Sequence, residues 1–195
     1  MTAKKMAVIG LGTMGAGIAQ VAVQSGIQVL GVERDAEAVA AAEGRVSAGL
    51  DRLVKRDRIS TADRDAALER LHVVTDLDAV ADADIVVEAI FEDVERKTAL
   101  FGTLDRLAGA DAILASNTST IPLVILAAAT SRPERVVGLH FFNPVPAMKL
   151  VEVIRTPAAD PAVVETARQL AQDMGKSPVL INDVPGFVGN LLIVP

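Results

Sequence analysis

Residues 8–20, VIGLGTMGAGIAQ, constrain the fold of this chain more than any other stretch. Gly10, Gly12 and Gly15 fall in a G-x-G-x-x-G spacing directly after the apolar run KMAVIG and at the start of GAGIAQVAVQSG, which reads as a helix ending at Gly26. In that setting the first glycine permits a tight turn, the second lets the backbone approach a pyrophosphate, and the third allows close helix–sheet packing. The helix N-terminus adds unpaired N–H groups and the positive end of a dipole, so a phosphate has a place to sit. Leu11, Thr13 and Met14 belong to the same loop and share the expected dinucleotide contact. Glu33 closes the next apolar run, QVLGVE, eighteen residues after Gly15. A carboxylate there accepts hydrogen bonds from the adenine ribose hydroxyls and repels a 2′-phosphate, which favours NAD over NADP. Arg34 beside it is the residue that would accommodate the extra phosphate instead.

The rest of the chain continues the alternation. DAEAVAAAEGRVSAGLDRLVKR is an Ala-rich helix opened by Asp35 as N-cap, and TADRDAALERL a shorter one. HVVT, DIVVEAI, AILAS, RVVGLHF, LVEVI and SPVLI read as short apolar strands, with VERKTALFGTLDRLA and DPAVVETARQLAQDMG as helices between them. Repeated strand–helix units with continuous apolar strands predict an α/β fold: a Rossmann-like, doubly wound, mostly parallel sheet with helices on both faces. This domain is expected over residues 1–184. Pro185 and Gly186 break the pattern, and FVGNLLIV reads as the first turns of an apolar helix that needs partners. Residues 185–195 are therefore expected to begin a truncated second domain.

Composition removes several classes of function. The 195 residues carry a formal net charge of -6, which disfavours nucleic acid and anionic membrane surfaces as partners. The absence of cysteine removes disulfides, zinc–thiolate sites and thiol nucleophiles, and suits a reducing cytoplasm. Tryptophan and tyrosine are also absent, so no aromatic base-stacking platform is expected. Lysines ahead of the first apolar run superficially resemble a secretory signal, but the glycine spacing and the interruptions at Thr13 and Gln20 argue against it. The longest apolar stretch, IPLVILAAA, is too short to span a bilayer.

A dinucleotide fold does not name a reaction, since flavoenzymes and methyltransferases share parts of this pattern. The chemistry has to come from residues at the C-terminal ends of the strands, where such sheets bind ligands. SNTST follows AILA there, and HFFNP ends RVVGL, so Asn117, Ser119, His140 and Asn143 are candidates to line one cleft. The other histidine, His72, opens a strand and suits a surface role. Glu152 follows His140 by twelve positions, and a histidine oriented by a carboxylate is a general base. Such a base can take the proton of an alcohol while a nicotinamide removes hydride from the same carbon. A Ser-His-Asp acyl-transfer site is weaker, because Ser119 lacks a nucleophile-elbow sequence. No metal-ligand spacing is present, and no metal is expected. A dinucleotide-sensing module without catalysis would leave His140 and Glu152 without a purpose.

Taken together, GLGTMGAGIAQ, DIVVEAIFEDVERK, ASNTST, GLHFFNPVPAMKLVEVI and PGFVGN make the chain resemble the N-terminal domain of the L-3-hydroxyacyl-CoA dehydrogenases, including the bacterial 3-hydroxybutyryl-CoA dehydrogenases. The resemblance implies oxidation of the C3 hydroxyl of an acyl-CoA thioester by NAD, with His140 as base and Glu152 as its partner. It implies substrate contacts from Ser119 and Asn190, and cofactor contacts from Ala89, Glu92, Lys97, Asn117, Ser119 and Asn143. It also implies CoA contacts on the long helix after the second strand, where Lys55 and Arg56 are the expected cations. A homodimer through the helical C-terminal domain is implied for the full-length parent. The sequence departs from the family pattern in having Glu33 where aspartate is commoner and Leu191 where an arginine usually follows Asn190. A related dehydrogenase acting on a free hydroxy acid or sugar acid is the alternative within the same class.

Overall fold

The structure, a computed structural model, describes residues 4–184 and 187. Its elements run β1 (Lys5–Ile9), α1 (Thr13–Gln24), β2 (Gln28–Val32), α2 (Ala36–Val54), α3 (Thr61–Leu68), β3 (Leu71–Val74), β4 (Ile85–Glu88), α4 (Val94–Leu107), β5 (Ile113–Ser116), α5 (Leu123–Ala127), β6 (Val136–Phe141), β7 (Leu150–Arg155), α6 (Pro161–Asp173) and β8 (Ser177–Asn182). The strands form one eight-stranded sheet in the order β3-β2-β1-β4-β5-β6-β7-β8. The chain order reverses between β1 and β4, which is where an open α/β sheet leaves a crevice for a ligand.

Because successive side chains on a strand point to opposite faces, a strand that is apolar throughout feeds two cores. Met6 and Val8 of β1 join one core with Ile18, Val46 and Leu50 of α1 and α2 and Ala167 and Leu170 of α6. Ala7 and Ile9 join the other with Phe101 and Leu104 of α4 and Leu123 and Leu126 of α5. This two-sided burial is why the central strands read as unbroken apolar runs. Helix α2 starts as expected, with the Asp35 carboxylate accepting the Ala38 amide at 2.8 Å.

Two features go beyond the expected pattern. IPLVILAAA contains α5, whose first amides, Leu123 and Val124, donate to the Asp183 carboxylate at 3.0 and 2.8 Å. Five residues are too few to show a helical period, and the capping group lies about sixty positions away, so nothing local announces it. The second feature is orientation: every paired neighbour in the sheet is parallel except β6 and β7, which are antiparallel. In their register His140 lies directly opposite Glu152.

Candidate active site

The C-terminal ends of β1, β4, β5 and β6 lie along one edge of the sheet, and the glycine loop sits among them. Gly10 has φ +82°, a conformation that L side chains rarely adopt, and a Cβ on Gly15 would lie 1.9 Å from the Gly10 carbonyl oxygen. Both positions therefore require glycine to close the turn and bring α1 against it. A Cβ on Gly12 would meet nothing within 4 Å, and the first turn of α1 carries no acidic residue. The loop thus presents open space and unpaired amides at a helix N-terminus, which fits a pyrophosphate. On the β2 side, Glu33 Oε1 accepts the Leu11 amide at 2.6 Å, so one carboxylate oxygen braces the loop. Arg34 turns to Asp35, with Nε 3.0 Å from its carboxylate. The cavity on this side is bounded by Gly10, Gly12, Glu33, Ile90 and the exposed Phe91.

The other side of the loop opens into a cleft of about 370 Å³ lined by Met14, Ala89, Glu92, Lys97, Asn117, Ser119, His140, Phe142 and Asn143. His140 and Glu152 are both buried, and His140 Nδ1 stands 2.7 Å from Glu152 Oε2. Directly opposed residues of an antiparallel pair project from the same face, so the strand register delivers this contact. A carboxylate accepts across such a contact, so it is the Nδ1 side of the ring that is turned to Glu152 and the Nε2 side that is turned away from it. The imidazole is held further by Phe142, with ring centroids 4.5 Å apart, and by Phe187 at 5.8 Å. The Asn117 side chain accepts the Phe141 amide at 2.9 Å, tying the loop after β5 to the end of β6.

Beneath the cleft lies a second ionic group. Glu88, fully buried at the end of β4, accepts from Lys97 Nζ at 2.7 Å, from Ser116 Oγ at 2.6 Å and from the Ile90 amide at 2.7 Å. The same Lys97 ammonium is 3.0 Å from Glu92 Oε2. Glu92 also accepts the Thr118 hydroxyl, the amides of Ser119 and Thr120 at 3.1 and 3.2 Å, and the Thr120 hydroxyl at 3.0 Å. Partial burial alone would raise the Glu92 pKa. Hydrogen bonds from Thr118 and Lys97, the ammonium charge and the Thr120 hydroxyl outweigh it and lower the pKa from 4.5 to about 2.

The family model described as 3-hydroxyacyl-CoA dehydrogenase, NAD binding domain, matches residues 5–184. The chain belongs to the 3-hydroxyacyl-CoA dehydrogenase family. A probable 3-hydroxybutyryl-CoA dehydrogenase of Bacillus subtilis is 42% identical over 195 residues, covering 100% of this chain and 68% of that protein. The mitochondrial hydroxyacyl-coenzyme A dehydrogenase of Sus scrofa is 40% identical over 198 residues, covering 98% of this chain and 63% of the pig protein. Among solved structures, M. tuberculosis FadB2 superposes with a TM-score of 0.97 at 40% identity, covering 99% of this chain and 68% of that one. The chain is thus an NAD-dependent oxidoreductase of this family, and NAD is its cofactor.

Within this dehydrogenase the cleft gathers Met14, Ala89, Glu92, Asn117, Ser119, His140 and Asn143 from the residues singled out in the sequence, while Gly10, Gly12 and Glu33 line the cavity on the other side of the glycine loop. Lys97 reaches it only from beneath, with its ammonium engaged by two carboxylates. Asn190, with the rest of the expected FVGNLLIV helix save Phe187, lies outside the described residues. His72 is exposed on β3, the edge strand farthest from β6. Lys55 and Arg56 are exposed just past the end of α2 and line neither this cleft nor the groove beside it. That groove, about 480 Å³ between α1, α2 and residues 143–146, carries Arg45 and Arg52 on its wall. The two are seven positions apart, about two helical turns, and so share a face of α2. Glu88, Ser116 and Thr118 also escaped notice, because a buried carboxylate at a strand end looks like any other polar boundary until its lysine is found.

Among the described residues, no helix is long and apolar enough to cross a membrane.

Proposed function

We propose that this chain oxidises the C3 hydroxyl of an (S)-3-hydroxyacyl-CoA, with His140 as the general base. The observation that carries this is the buried His140–Glu152 pair facing a cleft that adjoins the glycine loop. Bound NAD supplies a nicotinamide that accepts the hydride leaving C3. The chain's own residues do the rest. His140 Nε2 takes the hydroxyl proton, and the Glu152 carboxylate fixes the tautomer and stabilises the imidazolium that forms. Ser119 and Asn190 hold the substrate oxygen as it becomes a carbonyl. Glu33 and the amides of the glycine loop hold the adenosine and pyrophosphate, with Asn117 and Asn143 toward the nicotinamide half. The groove beside the cleft shares Asn143 with it, and its Arg45 and Arg52 suit the phosphates of CoA; Lys55 and Arg56 continue the positive charge past the end of α2. Residues 4–184 form the cofactor domain, the expected start of a helical domain at 185–195 lies outside the described residues save Phe187, and the protein works as a cytoplasmic homodimer.

The test is reduction of acetoacetyl-CoA with NADH by the wild type and His140→Gln. The variant is expected to turn over roughly 10²–10⁴-fold more slowly while binding NADH as tightly, since a positioned base supplies about that factor. A large loss of NADH affinity would instead make His140 structural. Activity on free 3-hydroxybutyrate with none on the thioester would replace the substrate class.

A further inference from the structure

Two carboxylates, Glu88 and Glu92, share the single ammonium of Lys97, so the group beneath the cleft keeps one uncompensated negative charge. Glu88 is fully buried, whereas the Glu92 side chain is 36% exposed, so the surplus charge faces the cleft through Glu92. Among the described residues that line the cleft, the other ionisable group is His140, which already has Glu152 as its partner. The topology decides which part of the dinucleotide meets Glu92. Glu33 fixes the adenosine on the β2 side of the glycine loop, and the nicotinamide half then falls on the β4–β6 side, where Glu92 and His140 stand.

The nicotinamide ring carries a positive charge when oxidised and none when reduced. We infer that the Glu88–Lys97–Glu92 group is an electrostatic selector, whose net negative charge tightens binding of NAD+ relative to NADH. This inference rests on the proposed placement of the nicotinamide. In the reaction, the C3–H bond breaks with its electron pair and neutralises the ring, while the O–H proton passes to His140. One positive charge therefore moves across the cleft, from beside Glu92 to beside Glu152. Each end of that path has its own carboxylate, and the two oppose one another: Glu92 favours the oxidised cofactor with the alcohol, Glu152 the protonated histidine with the ketone. The many hydrogen bonds from residues 118–120 to Glu92 hold its carboxylate in place and keep it ionised, so the charge is fixed and does not come and go with the reaction.

Dissociation constants for NAD+ and NADH, measured separately on the wild type and on variants, test this. Glu92→Gln keeps an acceptor for residues 118–120 but removes the charge, and is expected to shift the affinity ratio toward NADH by about tenfold, the size of one charge–charge interaction in a partly exposed site. Glu88→Gln removes one charge at a residue that does not itself line the cleft, and is expected to move the ratio in the same direction by a smaller factor. Glu92→Asp retains the charge and should keep the ratio near that of the wild type. A Glu92 that served only as a contact or a loop brace would give equal losses for both cofactors in Glu92→Gln and no change of ratio in Glu88→Gln; that result overturns the inference and leaves the proposed reaction standing. Failure of the wild type to bind either cofactor would overturn the placement of the nicotinamide, and the selector with it.

Discussion

His140 and Glu152 form a pair whose value depends on burial and on a single proton. Buried together with 2.7 Å between Nδ1 and Oε2, they commit one imidazole nitrogen to the carboxylate, the arrangement on which the proposed role of the other nitrogen rests. Glu92 solves a different problem with the same kind of group. Its pKa lies at about 2 against an ordinary 4.5, because the hydroxyl, amide and ammonium donors around it overcome the effect of partial burial. The unfolded chain therefore binds this proton more tightly than the folded one. The stabilisation is complete above about pH 4.5 and is lost progressively as the pH falls toward 2. Denaturant unfolding of the wild type and Glu92→Gln across pH 3 to 7 should show the gap between them narrowing as the pH drops below about 4.5. A gap constant over that range would mean that the Glu92 carboxylate gains nothing from its donors.

At the scale of elements, the decisive device is the antiparallel pairing of β6 and β7 in an otherwise parallel sheet. The sequence showed both strands and the twelve-residue interval, but not that they face each other in opposite directions. Apolar runs such as RVVGLHF and LVEVI fit either orientation, since both faces of the sheet are buried. The glycine loop was legible because its constraints are local: φ +82° at Gly10 and the 1.9 Å approach at Gly15 can be met only by glycine. Helix α2 lies between these cases. Its apolar stripe and its Asp35 cap are local, whereas which cations face the groove depends on where the helix ends and what packs beside it. Arg52 is on the groove wall, and Lys55 is already the cap residue beyond the last turn. Arg52→Glu should therefore raise KM for acetoacetyl-CoA by about tenfold or more through charge reversal, with the NADH dissociation constant unchanged. An unchanged KM would remove CoA from this groove.

On the scale of the whole molecule, the site exists only when the sheet is assembled. The cleft and the cavity on the β2 side of the glycine loop draw on segments after β1, β2, β3, β4, β5 and β6, whose residues run from Gly10 to Asn143 in the chain. No single strand–helix unit contains enough of the site to hold a dinucleotide: Lys97 reaches Glu88, and Glu92 reaches Lys97, from the helix and loop that follow β4, whereas Ser116 meets Glu88 only because β4 and β5 pair in register, Glu88 against Ser116. Two cores, one on each face of the sheet, couple the same loops to the packing of α1, α2, α4 and α6. A ligand bound across the switch point therefore stabilises the fold as a whole and not one lobe of it. With NADH at about a hundred times its dissociation constant, mass action adds roughly 2.7 kcal/mol to the unfolding free energy. For a domain of this size that corresponds to a rise in Tm of about 5–10 °C in a single cooperative transition. NADPH at the same concentration should give a smaller rise, because Glu33 repels its 2′-phosphate and Arg34 is engaged with Asp35. Equal shifts with the two cofactors would show that Arg34 leaves Asp35 to take the phosphate, and a split transition would show that the sheet does not unfold as one unit.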